Sequence, residues 1–161
     1  MTASGQGAEA ARTDAQAVAE AAAHVMMQSD RAARRLGIHV VEIAPGRSVL
    51  RMIVRREMLN GHDMGHGGMT FTLADTALAY ACNSYNQNAV AQSTQITFLR
   101  PTAEADVLTA TAEEVALSRR TGIYDVVVMN QRGEKVAVFR GQTASIKGSL
   151  VPDMPVTRQS Q

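Results

Sequence analysis

A single cysteine, Cys82, stands in a chain of 161 residues. No internal disulfide can form, which is compatible with a reducing compartment. Charge of one sign is equally missing: sixteen Lys and Arg oppose fifteen Asp and Glu, for a formal net charge of +1. No overall field draws such a protein onto nucleic acid or anionic lipid, so an anionic ligand has to be held by local groups. No stretch approaches the ~20 apolar residues of a membrane span, and the opening MTASGQGAEAARTDAQ contains no apolar core of signal-peptide length. The expectation is a cytoplasmic protein with neither a membrane nor a nucleic-acid partner. Gly-x-Gly-x-x-Gly spacing is absent, as is a repeated strand-helix-strand pattern, which excludes a dinucleotide fold. No internal repeat is present.

What the chain does have is enough apolar material, 45% of its residues, to bury the core of one domain. Residues 1–13 are small, polar and without period, which reads as a flexible leader. From Asp14 the positions Val18, Ala21, Ala22, Val25 and Met26 recur at helical spacing. A second short helix is expected to start at Ser29 or Asp30, whose side chains can accept from unpaired amides, and to end at Gly37. Strand patterns follow. IHVVEIA and SVLRMIVRR flank Pro45 and Gly46, and in the second Leu50, Met52 and Val54 alternate with Val49, Arg51, Ile53 and Arg55. Further on, AVAQSTQITFLR, DVLTATAEEVALS, IYDVVVMN and KVAVFRGQTASIK give four more strands, the last three arranged as an antiparallel meander. The domain spans residues 14–147, and the tail 148–161, with two prolines and little apolar period, reads as loose.

Between the second and third strands lies Asn60–Asn86, NGHDMGHGGMTFTLADTALAYACNSYN, where a glycine-broken run passes into an alanine-rich helix. A sheet that buries one helix wraps around it, and Ala74, Ala77, Ala79 and Ala81 supply the small residues that allow close approach. Gly65, Gly67 and Gly68 make a poor helix interior but a good entrance, where the backbone can come close to a ligand. Amide hydrogens without intrahelical partners and the positive end of the dipole make the first turn a place for a developing oxyanion, with the Gly67 N–H as candidate donor. Eight positions on, Asp75 sits in a segment that otherwise reads as core. Burying an ionised carboxylate alone is costly, so it should reach a cleft or a bonding partner.

Distance then constrains the assembly. At ~1.5 Å rise per residue, the Gly67 amide and Asp75 are roughly 12 Å apart along the helix axis, too far to serve one carbonyl carbon. If both act on the same group, each must come from a different copy of the helix, which implies a symmetric dimer with two shared sites. A metal is not expected: His62 and His66 are four apart, but the flanking glycines oppose a helix there, so the two rings need not share a face. Cys82 lies among core neighbours with no base near it and reads as a packed thiol.

These residues carry a resemblance. Asn60-Gly61-His62, His66-Gly67-Gly68, FTLADTALAYACNSYN, QITFLRP and VAVFRGQTASI occur in order over about Met26 to Ile146, and the chain is thereby similar to the hotdog-fold acyl-CoA thioesterases of the phenylacetic-acid-degradation type. The resemblance implies an α+β fold, an antiparallel sheet wrapped around one central helix with short N-terminal helices. It also implies edge-to-edge sheet pairing into a dimer, a tetramer of two dimers, and no cofactor. It makes Asp75 the nucleophile or general base of thioester hydrolysis, opposite the Gly67 amide of a neighbouring subunit, with Asn60 and His66 orienting the carbonyl or the attacking water. Asp63, Met64 and Gly65 receive no role.

For an acyl-CoA substrate, Gly68, Phe71, Thr76, Arg100 and Arg120 are assigned to binding. Arg119 and Arg140 are further candidates for the coenzyme phosphates, and Leu59, Met69 and Tyr80 join Phe71 as candidates for the acyl pocket. The expected reaction is hydrolysis of aryl- or phenylacetyl-type thioesters. The rivals are hydration of an enoyl thioester on the same fold and non-enzymatic acyl-CoA binding with Asp75 merely structural.

Overall fold

A computed structural model describes residues 3–157, with side chains from Asp14 onward. Two helices lead, α1 (Ala3–Ser29) and α2 (Arg31–Leu36), followed by β1 (His39–Ala44), β2 (Arg47–Ile53), the long helix α3 (Gly67–Asn83), and then β3 (Ala89–Phe98), β4 (Val107–Leu117), β5 (Thr121–Met129) and β6 (Lys135–Ser145). All six strands join one antiparallel sheet in the order β1-β2-β4-β5-β6-β3. The expected meander is therefore present in β4, β5 and β6. The strand that follows α3 does not return beside β2; it crosses to the far edge and pairs with β6.

Period-two alternation fixes the faces. On β2, Leu50, Met52 and the following Val54 are buried while Arg51 and Ile53 are exposed, and β4 to β6 alternate likewise around Leu108, Ala110, Ala112, Tyr124, Val126, Val128, Ala137 and Phe139. These inward residues close on Leu73, Ala74, Ala77, Leu78, Tyr80 and Ala81 of α3, so the core lies between sheet and helix. Small residues let the backbones approach. A Cβ at Gly141 of β6 would stand 2.7 Å from Leu78 Cδ2, and Ser48 Oγ of β2 donates to the Ala77 carbonyl at 2.7 Å.

α1 lays Val18, Ala19, Ala22 and Ala23 inward, and Gln16 Nε2 donates to the Ile43 carbonyl of β1. α2 has the expected ends: Asp30 Oδ1 accepts from Ala33 N at 2.9 Å, and Gly37 closes the helix at φ 72°. Two expectations about the ends of the chain need correction. The first helix begins at Ala3, so residues 3–13, read as a leader without period, continue α1 and make it 27 residues long rather than short; their many alanines favour that backbone without needing an apolar stripe. The tail is also held through Thr157. Asn86 Oδ1 accepts from Leu150 N and Val151 N, Asn86 Nδ2 donates to the carbonyls of Val151 and Met154, and Thr157 N donates to the Tyr85 carbonyl. Residues 1–2 and 158–161 of the expected leader and tail lie outside the described residues.

Candidate active site

The entrance to α3 is built by a loop that satisfies its own backbone. Asn60 Oδ1 accepts from His62 N at 2.8 Å and Met64 N at 3.3 Å, and Asn60 N donates to the Met64 carbonyl. This closes a tight turn with Asp63 at φ 55°. Gly65 N donates to the Thr102 carbonyl and His66 N to the Met58 carbonyl, so the chain leaving the turn is tied to the scaffold. At Gly65 any side chain is excluded, because a Cβ would lie 2.0 Å from Thr102 Oγ1.

His66 is the N-cap. Its Nδ1 accepts from Gly68 N at 2.9 Å. A ring nitrogen that accepts carries no hydrogen, so in the neutral ring the proton is on Nε2, which remains a donor. The cap consumes the Gly68 amide and leaves the Gly67 amide with no acceptor among the described residues. Gly67 lines a cavity of about 290 Å³ together with Asn60, Thr70, Phe98, Arg100 and Thr102. A helix start, a bare amide and a cavity therefore coincide, which is the arrangement that stabilises negative charge on an oxygen.

Asp75 sits eight residues along the same helix, half-buried, and is not part of that cavity. Its carboxyl is held above the usual carboxylate range by burial alone, and no donor or cation faces it among the described residues. Within one chain the structure therefore does not bring Gly67 and Asp75 together.

The remaining candidates divide. Asn60, Gly67 and Arg100 share the cavity wall, and Arg100 Nη1 donates to the Lys135 carbonyl. Gly68 offers only its backbone carbon, since its amide is capped. Phe71 packs edge-to-face on Phe139 with ring centroids 5.5 Å apart, which makes it part of the core wall. Thr76 is buried and donates through Oγ1 to the Thr72 carbonyl at 2.7 Å. Arg119 and Arg120 lie beyond the C-terminal end of β4, whereas the cavity adjoins the corner before its start. A strand's length of roughly 35 Å thus separates them from the cavity of their own chain. Arg140 is held in a bidentate pair by Asp125, directly opposite it in the β5–β6 register.

Thr70, Phe98 and Thr102 were not among the candidates drawn from the sequence, yet all three line the cavity. The only available signal was their position: Phe98 and Thr102 flank the point where QITFLRP leaves the sheet. Among the described residues no group of three or more His, Cys, Asp or Glu could hold a metal ion, and no helix is long and apolar enough to cross a membrane.

The chain as a whole is similar to known proteins. Residues 63–137 match the thioesterase superfamily. The chain is 46% identical over 128 residues to the acyl-coenzyme A thioesterase PaaI of Escherichia coli, covering 80% of this chain and 91% of that one. The solved structure of the E. coli PaaI protein from the phenylacetic acid degradation operon superposes with a TM-score of 0.82 at 45% identity, covering 83% of this chain and 97% of that one. A Streptococcus mutans protein solved with acetyl-CoA bound is similar at a TM-score of 0.66 and 27% identity, covering 70% of this chain and 90% of that one.

Proposed function

The chain belongs to the thioesterase superfamily, with the hotdog fold of its phenylacetic-acid-degradation type, and from that membership we propose that it hydrolyses aryl- or phenylacetyl-type acyl-CoA to the free acid and coenzyme A. The observation that carries this reading is a complementary pair on α3, an amide at its first residue with no acceptor and a carboxylate eight residues later with no donor, both among the described residues.

Hydrolysis needs negative charge stabilised on the carbonyl oxygen and a base or nucleophile at its carbon. The Gly67 N–H, at the positive end of the helix dipole, receives the carbonyl oxygen as it becomes an oxyanion. Asn60, which lines the same cavity, and His66, the residue before Gly67, are the side chains assigned to orient the carbonyl or the incoming water. Asp75 removes the proton of that water, or attacks the carbon itself to give an anhydride that water then opens. Either way water is added, the carbon-sulfur bond breaks and the thiolate leaves.

Asp75 reaches this carbon from a second copy of the chain. What supports the shared site is the ~12 Å that separates the two groups along one helix and the state of β3. Among the described residues that strand is hydrogen-bonded on one side only, and Val90 and Phe98 are its exposed large apolar residues. An open edge of this kind is a template for another strand. A dimer formed through β3, two such dimers forming a tetramer, residence in the cytoplasm and contact of Arg100 with the coenzyme phosphates complete the proposal.

Thiol release from a panel of acyl-CoA substrates tests the reaction: hydrolysis frees thiol, whereas hydration of an enoyl thioester and simple binding do not. Mixing tests the shared site. Gly67→Val and Asp75→Asn are each expected to be inactive alone. A heterodimer of the two has one site with both defects and one with neither, so random mixing should restore about a quarter of wild-type turnover. No restoration after subunit exchange would place both groups in one chain.

A further inference from the structure

We propose that Phe98 is a specificity-determining residue of the acyl site, its ring forming the wall on which an aromatic acyl group stacks. This rests on the thioesterase reading with Gly67 as the oxyanion donor. The chain has six aromatic rings, three Phe and three Tyr. Phe71 and Phe139 pack on each other, Tyr80 and Tyr124 are buried, and Phe98, at 51% exposure, is the one aromatic among the exposed large apolar residues. Tyr85 is engaged by Glu114 near the other end of α3.

The ring is not loose on the surface. Phe98 is the last residue of β3, paired with Ala137 of β6. The far edge of its ring reaches the first residue of α3: Cζ, Cε1 and Cε2 lie 3.0, 3.3 and 3.5 Å from the point where a Cβ of Gly67 would stand. Gly67 is thus a glycine for a packing reason, since a side chain there would displace the ring. A carbonyl oxygen accepting from the Gly67 N–H at about 2.9 Å puts the carbonyl carbon about 4 Å from that nitrogen. Phe98 and Gly67 line the same cavity, so an acyl group held at that amide shares its cavity with the ring. An aryl group in that position gains ring-on-ring contact beyond its area burial, and a linear alkyl chain of similar area does not. Phe98 therefore favours aryl over alkyl thioesters.

The test compares wild type with Phe98→Leu and Phe98→Tyr, using phenylacetyl-CoA and hexanoyl-CoA as substrates. Affinities are measured in parallel for the two unhydrolysable analogues that place a methylene between sulfur and carbonyl. Phe98→Leu should weaken binding of the aryl analogue, and raise KM for phenylacetyl-CoA, by about three- to tenfold. The alkyl pair should move far less, so that the aryl-to-alkyl ratio falls. Phe98→Tyr, which keeps the ring, should keep the preference, and the thermal melts and oligomer size should match wild type. An aryl-to-alkyl affinity ratio that does not move in Phe98→Leu overturns the inference. So does an equal loss for both analogues with a smaller particle on light scattering, because the ring would then serve the interface. Analogue binding needs no turnover, so the two claims fail separately. A shifted ratio without thiol release from any acyl-CoA upholds the ring's role and removes the thioesterase reading, while thiol release with an unmoved ratio does the reverse.

Discussion

The two ends of α3 are opposites. At its C-terminal end the polar groups are satisfied at high density. Asn83 exchanges bonds with Ala89 N and O, and Ser84 Oγ donates to Ala81 O while accepting from Gly46 N. Glu114 accepts from the hydroxyls of both Tyr85 and Tyr124, and fully buried Asn86 holds the tail. At the N-terminal end, among the described residues, Gly67 N–H stands without an acceptor, and eight residues on Asp75 has no donor. Unsatisfied groups in a half-buried setting reduce stability, so one end of the helix secures the fold while the other holds the groups proposed for the reaction.

Substitutions can break that contrast. The largest effect is expected from Asp75→Asn, which should lower kcat at least about 100-fold, the scale for a positioned base, while coenzyme A affinity is retained. Steady-state kinetics with thiol detection would show it, and unchanged turnover would remove Asp75 from the chemistry. At the other end Asn86→Ala leaves several backbone groups of the tail without partners and should cost about 3 kcal/mol in urea unfolding. The kcat of the folded protein should not change; a matching fall in kcat would mean that the two ends are coupled. A smaller effect is expected at the cap. His66→Ala should lose about 1 kcal/mol of stability, and His66→Asn, which again offers a capping acceptor, should recover it without restoring an imidazole donor.

The smallest effect sharpens the comparison through pH. Burial holds the Asp75 carboxyl above the ordinary carboxylate range. Between the unfolded and folded values the folded chain binds more protons, so unfolding free energy falls as pH rises through that window. Asp75→Asn should therefore melt higher than wild type at neutral pH, with the gain vanishing toward acid. Activity should show the converse, an acid limb above the ordinary carboxylate range. A variant no more stable at neutral pH than wild type would show that Asp75 carries no such penalty.

Much of this was legible in the residues themselves. Alternation marked the strands, and glycines ahead of an alanine-rich helix marked its entrance. The ~12 Å between the Gly67 amide and Asp75 follows from their spacing alone, and within one chain the structure keeps the two apart. Strand order was not legible, because side-chain alternation reports which face is buried and says nothing of which neighbour a strand bonds to. Arg140 looked like a phosphate ligand until the register set it opposite Asp125. The hold on the tail was hidden because Asn86 bonds to backbone groups of residues 150, 151 and 154, which carry no signature in the sequence. Phe98 was hidden for a related reason: inside QITFLRP it reads as one more strand residue, and only the folded chain sets it against Gly67.

Strand order also governs when the reactive end of α3 can form. β3 bonds to β6 alone, and β6 is the last strand of the sheet to be synthesised. While the chain emerges, β3 has no strand to receive it, and its pairing across some forty intervening residues belongs to the slow, non-local class. A nascent chain that stops short of β6 would carry α3 with no ring against its first residue. Premature products should therefore be inert as well as prone to aggregate.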